Sequence, residues 1–119
     1  MTNFISWVEI PAAEFERAVN FYTSVLQTDL QVIEGEQEKM ACFPGGEGAI
    51  SYAPGFHPGK DGALVSFNAG DDLDGALERV AANNGTVVQP RTKIEAEGRG
   101  YFAIITDSEG NKVGLYGDK

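Results

Sequence analysis

The pattern that most constrains the fold is a strand followed by an amphipathic helix, which occurs twice in the sequence. The first copy lies within residues 4–30 and the second begins at residue 64. In the first copy, apolar residues recur at helical spacing: Phe15, Ala18, Val19, Tyr22 and Leu26. In the second copy, the equivalent residues are Leu73, Ala76, Leu77, Val80 and Ala81. One unit used twice in 119 residues predicts a duplicated chain that folds around a shared core.

The first half is predicted to contain one helix and four strands. Its first strand covers residues 4–10 and ends at Pro11, which has no N–H to donate to a ladder. Acidic residues occupy the first turn of the helix, where the helix dipole favours them, and Thr28–Asp29 closes it. Three further strands are predicted at residues 30–36, 39–43 and 48–53.

The second half repeats this order after a connector at residues 54–62 that is rich in Gly and Pro. Its strands are predicted at residues 63–69, 86–89, 100–106 and 112–116. Asp71 or Asp72 caps the helix, and Asn84–Gly85 stops it because Gly tolerates a left-handed backbone. Residues 107–111 form a hairpin turn. The predicted class is α+β: a single domain, residues 1–119, made of two repeated modules at about 1–56 and 63–119.

Charge and composition exclude several kinds of partner. Nine basic and eighteen acidic residues give a net charge of −9, which repels the phosphates of a nucleic acid and mildly favours a cationic ligand. The apolar runs are too short to span a membrane, and the N-terminus lacks the basic and apolar pattern of an export signal. Cys42 is the single cysteine, so no internal disulfide is expected, as is usual in the cytoplasm.

Three stretches resemble the vicinal oxygen chelate superfamily, which includes glyoxalase I, extradiol dioxygenases, and fosfomycin- and bleomycin-resistance proteins. They are Trp7–Pro11, the helix at residues 15–26 with its Ala-x-x-Phe-Tyr sequence, and the segment 106–116 with Asp-x-x-Gly-Asn. The resemblance covers nearly the whole chain. It implies two βαβββ modules that form a curved mixed sheet around a cleft, with the helices on the outer face.

The same resemblance implies that the family's metal centre is missing. Metal-dependent members place His or Glu on four strands, and the matching positions here are Trp7, Ser51, Leu64 and Gly114. None of these side chains supplies an imidazole or a carboxylate. The resemblance therefore predicts a metal-free protein without a cofactor.

The resemblance implies a ligand-binding cleft at the carried-over positions Trp7, Ser51 and Leu64, and strand parity adds Glu9 and Tyr116. Glu9 either holds a cationic or hydroxyl-bearing ligand or is an edge carboxylate in water. Trp7 is either a stacking platform or a side chain that fills the vacant cavity. Tyr116 shares strand parity with Gly114.

Other reactive groups each have two interpretations. His57, the single histidine, is either a mobile acid or base over the cleft or a solvated loop residue. Cys42 is interpreted as a buried structural cysteine rather than an activated thiolate. Residues 45–48 are interpreted as a hairpin loop rather than a phosphate cradle. The charged segment 91–99 is either a lid or a solvated loop.

Two functions remain open at this level. The first is a metal-free protein, similar to bleomycin-resistance proteins, that binds a small organic molecule in an aromatic cleft. The second is a glyoxalase-like lyase or isomerase with an atypical site, which rests on family analogy alone. The resemblance also implies a homodimer, and neither nucleic acid nor a membrane is expected as a partner.

Overall fold

The computed structural model describes residues 5–119, which form two helices and eight strands. The elements are β1 Val8–Pro11, α1 Phe15–Leu26, β2 Gln31–Glu34, β3 Lys39–Cys42, β4 Gly48–Tyr52, β5 Ser66–Asn68, α2 Leu73–Ala82, β6 Thr86–Lys93, β7 Tyr101–Thr106 and β8 Lys112–Gly117. None of the helices in this described part of the chain is long and apolar enough to cross a membrane.

The strands form two four-stranded mixed sheets with the same connectivity. Their orders are β1-β4-β3-β2 and β5-β8-β7-β6, and in each sheet the first and last strands of the module pair in parallel. The remaining pairs are antiparallel. This confirms the α+β class and the two βαβββ modules, with each module hydrogen-bonded as a sheet of its own.

The observed strand boundaries differ most from the predicted ones at β1, β5 and β6. β1 begins at Val8 rather than at residue 4, and Phe4 lies outside the described residues. β5 contains three residues instead of the seven predicted, whereas β6 continues to Lys93 through two irregularities in its pairing with β7. β1 begins opposite Gly48, the first residue of its partner β4, so its start is set by the partner strand rather than by local sequence.

Helix α1 is buried over a wider face than the predicted stripe. Phe21 and Val25 are buried together with Ala18 and Tyr22. The reason is that α1 packs against β4 of its own module and against α2 of the other one. The helix ends at Leu26, with Gln27 in the left-handed conformation, instead of at Thr28–Asp29.

Helix α2 differs from prediction at both ends. Asp72 occupies the N-cap position, but its side chain makes no capping bond and pairs with Arg79 at 3.2 Å instead. At the other end Asn84 takes the left-handed backbone, with φ of 73°. Gly85 is needed for space, since a Cβ there would lie 2.7 Å from the side chains of Phe21 and Val80.

A buried hydrogen-bond network joins the two modules. Asp107 is 3% exposed and accepts the Tyr22 hydroxyl at 2.6 Å and the Asn111 side-chain amide at 3.0 Å. Asn111 also donates to the Pro11 carbonyl at 2.7 Å and accepts the Gly59 N–H at 3.0 Å. The network thus ties the 107–111 hairpin to α1, β1 and the connector. Burial, followed by the negative charge of Asp107, raises the pKa of Tyr22 well above its usual value.

Glu109 at the tip of the same hairpin caps the first helix of the other module. Its carboxylate accepts the backbone N–H groups of Ala13 and Glu14 at 2.9 and 2.7 Å, and the Arg17 side chain at 2.6 Å. Burial opposes its ionisation, but hydrogen bonds from Arg17, the helix start and Ser108 outweigh this and lower its pKa below the usual value. The charged form is therefore the one that the fold stabilises.

We expect the Glu109 cap to make the free energy of unfolding depend on pH. Because folding lowers the pKa of Glu109, its contribution is present above pH 4.5, the usual value, and is lost as pH falls through the lower folded pKa. Glu109→Gln should cost about 2 kcal/mol at pH 7, with a smaller penalty near pH 3. Chemical denaturation at several pH values measures this. The exposed Glu97→Gln serves as the control, and a pH-independent Glu109→Gln penalty would contradict the assignment.

Candidate functional site

Each sheet has one face covered by helix and one that is not, which we call the helix-free face. In the first sheet, Ile10, Ile50 and Ala41 are register partners on the helix side, and each is at most 5% exposed. Strand alternation puts the neighbouring rows on the helix-free face. Those rows are Glu9–Ala49–Cys42 and Pro11–Ser51–Met40.

The second sheet is arranged in the same way. Phe67, Leu115 and Ala103 are register partners that belong to the core. The rows on the helix-free face are Ser66–Gly114–Ile104 and Asn68–Tyr116–Phe102. Equivalent faces of the two modules therefore combine hydroxyl, amide and aromatic groups, which is a lining suited to an organic ligand.

The predicted binding residues occupy these helix-free faces, but with different exposure. Trp7 and Leu64 precede β1 and β5 at positions of the correct alternation, and they are 42% and 49% exposed. Glu9 is also exposed. Tyr116 is half-buried, and its hydroxyl accepts the Gly100 N–H at 3.2 Å, which holds the ring against the start of β7.

Ser51 differs from the other four because its hydroxyl is buried and has no partner. The residue is 2% exposed, and its Oγ makes no hydrogen bond within the described chain. A buried hydroxyl without a partner is costly, and such a group is commonly satisfied by a ligand or by water. Ser51 is thus a candidate donor or acceptor at the floor of the first module's face.

The residues present do not fit a family-type metal centre. The four matching positions hold an indole, a hydroxyl, an isobutyl group and a glycine. At Gly114 a Cβ would collide with the Ser66 hydroxyl, so a carboxylate there would require Ser66 to move. Among residues 5–119, no group of three or more His, Cys, Asp or Glu side chains is arranged to hold an ion.

Glu9 also borders a cavity of ≈ 430 Å³ between β1, the connector and the start of β8. His57 and Phe56 of the connector line the same cavity, together with Lys112. His57 is exposed, so it remains accessible to solvent while it faces the cavity that contains Glu9. The other predicted binding residues do not line this cavity.

Sequence reasoning missed several polar and sulfur-bearing groups on the helix-free faces. Cys42, interpreted as buried, is half-buried, and its register partner in β4 is Ala49, which is paired in turn with Glu9. Ser66 and Asn68 of β5 were not singled out, although they share strand parity with Leu64, which precedes β5. Strand parity was the signal that would have found them. Cys42 required the register of β3, which the sequence does not give.

The fold defines a class of protein: a duplicated βαβββ chain with two four-stranded mixed sheets of the same connectivity. The family model for the Glyoxalase/Bleomycin resistance protein/Dioxygenase superfamily matches residues 4–115. The chain belongs to this superfamily.

Sequence relatives include the putative glyoxylases CFP32 of Mycobacterium bovis and Mycobacterium tuberculosis. Each is 30% identical over 117 residues, which is 93% of this chain. The chain spans only 44% of the length of these relatives.

Solved structures confirm the fold. A glyoxalase/bleomycin resistance protein from Albidiferax ferrireducens T118 matches with a TM-score of 0.73 and 20% identity, over 97% of this chain and 98% of that one. TnmS3, an antibiotic binding protein from Streptomyces sp. CB03234, matches with a TM-score of 0.64 and 22% identity, over 99% and 98%. At this level of identity the likeness concerns architecture alone.

Proposed function

We propose that this chain binds a small organic ligand, without a metal ion, in an aromatic cleft lined by the helix-free faces. The lining residues are Trp7, Glu9, Ser51, Leu64 and Tyr116. The observation that carries the proposal is the unpartnered Ser51 hydroxyl, which is buried on a face that otherwise offers exposed aromatic and aliphatic groups. A ligand bound there would satisfy this hydroxyl and cover the apolar surface. The structural likeness to an antibiotic binding protein supports the same interpretation.

Each residue has a distinct part in this proposal. Trp7 provides a flat apolar surface for an aromatic group of the ligand. Ser51 contributes a hydrogen bond, and the Glu9 carboxylate pairs with a cationic or hydroxyl group. Leu64 and Tyr116 close the cleft from the second module. The net charge of −9 favours a ligand that is neutral or positive.

A homodimer would complete this cleft. Ile33 is the register partner of Met40 on the helix-free face and is 49% exposed, and Trp7 and Leu64 are exposed to a similar degree. Apolar groups left open on a sheet face are typical of a surface that another chain covers. Sedimentation that finds a monomer at micromolar concentration, with or without ligand, would contradict this part of the proposal.

The test of the main proposal is a thermal-shift screen of aromatic and cationic compounds, run with and without a chelator. We expect at least one compound to raise Tm by several degrees, since a ligand at about 100 times its Kd stabilises by about 2.7 kcal/mol. The shift should be the same in chelator. Elemental analysis of the purified protein should find far less than one divalent ion per chain. A shift that chelator abolishes would overturn the metal-free proposal.

A glyoxalase-like lyase or isomerase is the second candidate, and one observation favours it. Glu9 and His57 line a single cavity, where a carboxylate and an imidazole can act as base and acid. About one tightly held divalent ion per chain would favour this candidate over the first.

A further inference from the structure

A second cavity lies between the edges of the two sheets, apart from the five residues of the proposed cleft. It has a volume of ≈ 530 Å³, which is within the range of small-molecule sites. We call it the inter-sheet groove. Its walls are mainly apolar: Ile5, Val8, Leu26, Phe43, Pro44, Val65 and Phe67. None of the five predicted binding residues lines it.

The walls of the groove are held in place by the core. Phe43 and Phe67 meet edge to face, with ring centroids 5.5 Å apart, and Phe67 also contacts Tyr22 at 5.3 Å. Val8, Leu26, Phe43, Val65 and Phe67 all pack against the buried core while remaining only partly buried themselves. The groove is therefore a preformed apolar surface, which lowers the cost of ordering when a ligand binds.

The charge of the groove has one sign. Among residues 5–119, Glu47 is the one charged residue that lines the groove, and the polar lining residues are Thr28, Ser66 and Asn68. The Glu47 carboxylate lies back over the turn of residues 44–47, where a Cβ on Gly45 would clash with it. No Lys, Arg or His of the described chain lines the groove to neutralise this carboxylate.

The end of α1 adds a second electrostatic contribution. Leu26 is the last residue of the helix and Thr28 follows it, and both line the groove. A helix C-terminus carries partial negative charge, and the last turn of α1 has no basic residue. The Arg79 side chain of α2 donates a hydrogen bond to the Val25 carbonyl oxygen at 3.2 Å. Arg79 is also paired with Asp72, and it does not line the groove.

We propose that the inter-sheet groove binds a small apolar cation, such as an aromatic amine in its protonated form. The apolar body packs against the Phe43 and Phe67 rings, and the ammonium group pairs with the Glu47 carboxylate near the C-terminus of α1. An anion of the same shape is repelled by both negative elements. The groove shares Ser66 and Asn68 with the helix-free face of the second sheet, but none of the five residues named for the cleft lines it.

The test uses three probes of one size: 1-naphthylmethylamine, 1-naphthalenemethanol and 1-naphthoate. Each is titrated into the full-length protein and followed by backbone amide shifts in NMR spectra. We expect the amine to bind up to about fivefold more tightly than the alcohol, the gain of a partly exposed ion pair, and the carboxylate to bind most weakly. The largest shift changes should map to Phe43, Glu47 and Phe67.

Two variants of equal charge separate the groove from general electrostatics. Glu47→Gln should remove the preference for the amine over the alcohol, whereas the exposed Glu97→Gln should keep it. Equal binding of amine and alcohol to the native protein would overturn the proposal. A preference for the amine over the alcohol that survives in Glu47→Gln would also overturn it. Shift changes centred on Trp7 and Leu64 would overturn it as well.

Discussion

Replacing Asp107 by alanine is expected to lower the free energy of unfolding by about 3 kcal/mol and Tm by roughly 10–15 °C. The carboxylate is 3% exposed and accepts four hydrogen bonds: from the Tyr22 hydroxyl, the Asn111 side chain, and the backbone N–H groups of Glu109 and Asn111. Alanine leaves these buried donors without partners, so each incurs its desolvation cost. Urea denaturation followed by circular dichroism measures the change.

Two further variants test whether the loss of stability comes from the buried hydrogen-bond network. Asp118→Ala removes the same charge from an exposed position near the C-terminus and should change stability by at most about 0.5 kcal/mol. Tyr22→Phe removes a single donor from the network and should fall between the two, at about 1–2 kcal/mol. A native-like stability for Asp107→Ala would show that the network does not hold the modules together.

Trp7→Ala is expected to abolish ligand binding while the fold stays intact. In the proposed cleft the indole provides the stacking surface, and its loss should weaken affinity at least tenfold, by about 1.4 kcal/mol or more. Stability should fall by only about 1 kcal/mol, because the side chain is 42% exposed before ligand binds. The measurement is calorimetric titration of a compound that the thermal-shift screen has identified.

Tyr52→Ala is the matched control for this variant. Tyr52 is 40% exposed, nearly the same as Trp7, but it lies on the opposite face of the first sheet, where it borders a groove lined by Phe15 and Arg17 of α1. Its truncation should leave affinity unchanged. Equal affinity in native protein and Trp7→Ala would remove Trp7 from the site.

The 107–111 hairpin carries much of the family resemblance, and its role here is structural. Asp107 and Asn111 form the buried network, while Glu109 caps α1 of the other module. Gly110 takes a left-handed backbone with φ of 93°, which a residue with a side chain adopts only with strain. A short motif can therefore mark a family through packing between its modules as well as through chemistry.

The sequence predicted the order of elements because periodicity is a local property. Apolar spacing located both helices, and the turn residues separated the strands. Strand alternation placed Trp7 and Glu9 on one face of the first module, and the family resemblance added Ser51. The family resemblance, rather than the spacing, indicated that the metal-binding positions lack suitable side chains.

Tertiary structure alone decided which surfaces are covered. Phe21 and Val25 are buried because α2 lies beside α1, and Ser51 is buried without a partner although nothing in its local sequence distinguishes it. The inter-sheet groove joins Leu26, Phe43 and Phe67 from three separate segments. Local sequence fixes which face a side chain takes along its own strand or helix. The neighbours of that face are set by contacts between distant residues, and these depend on the whole chain at once.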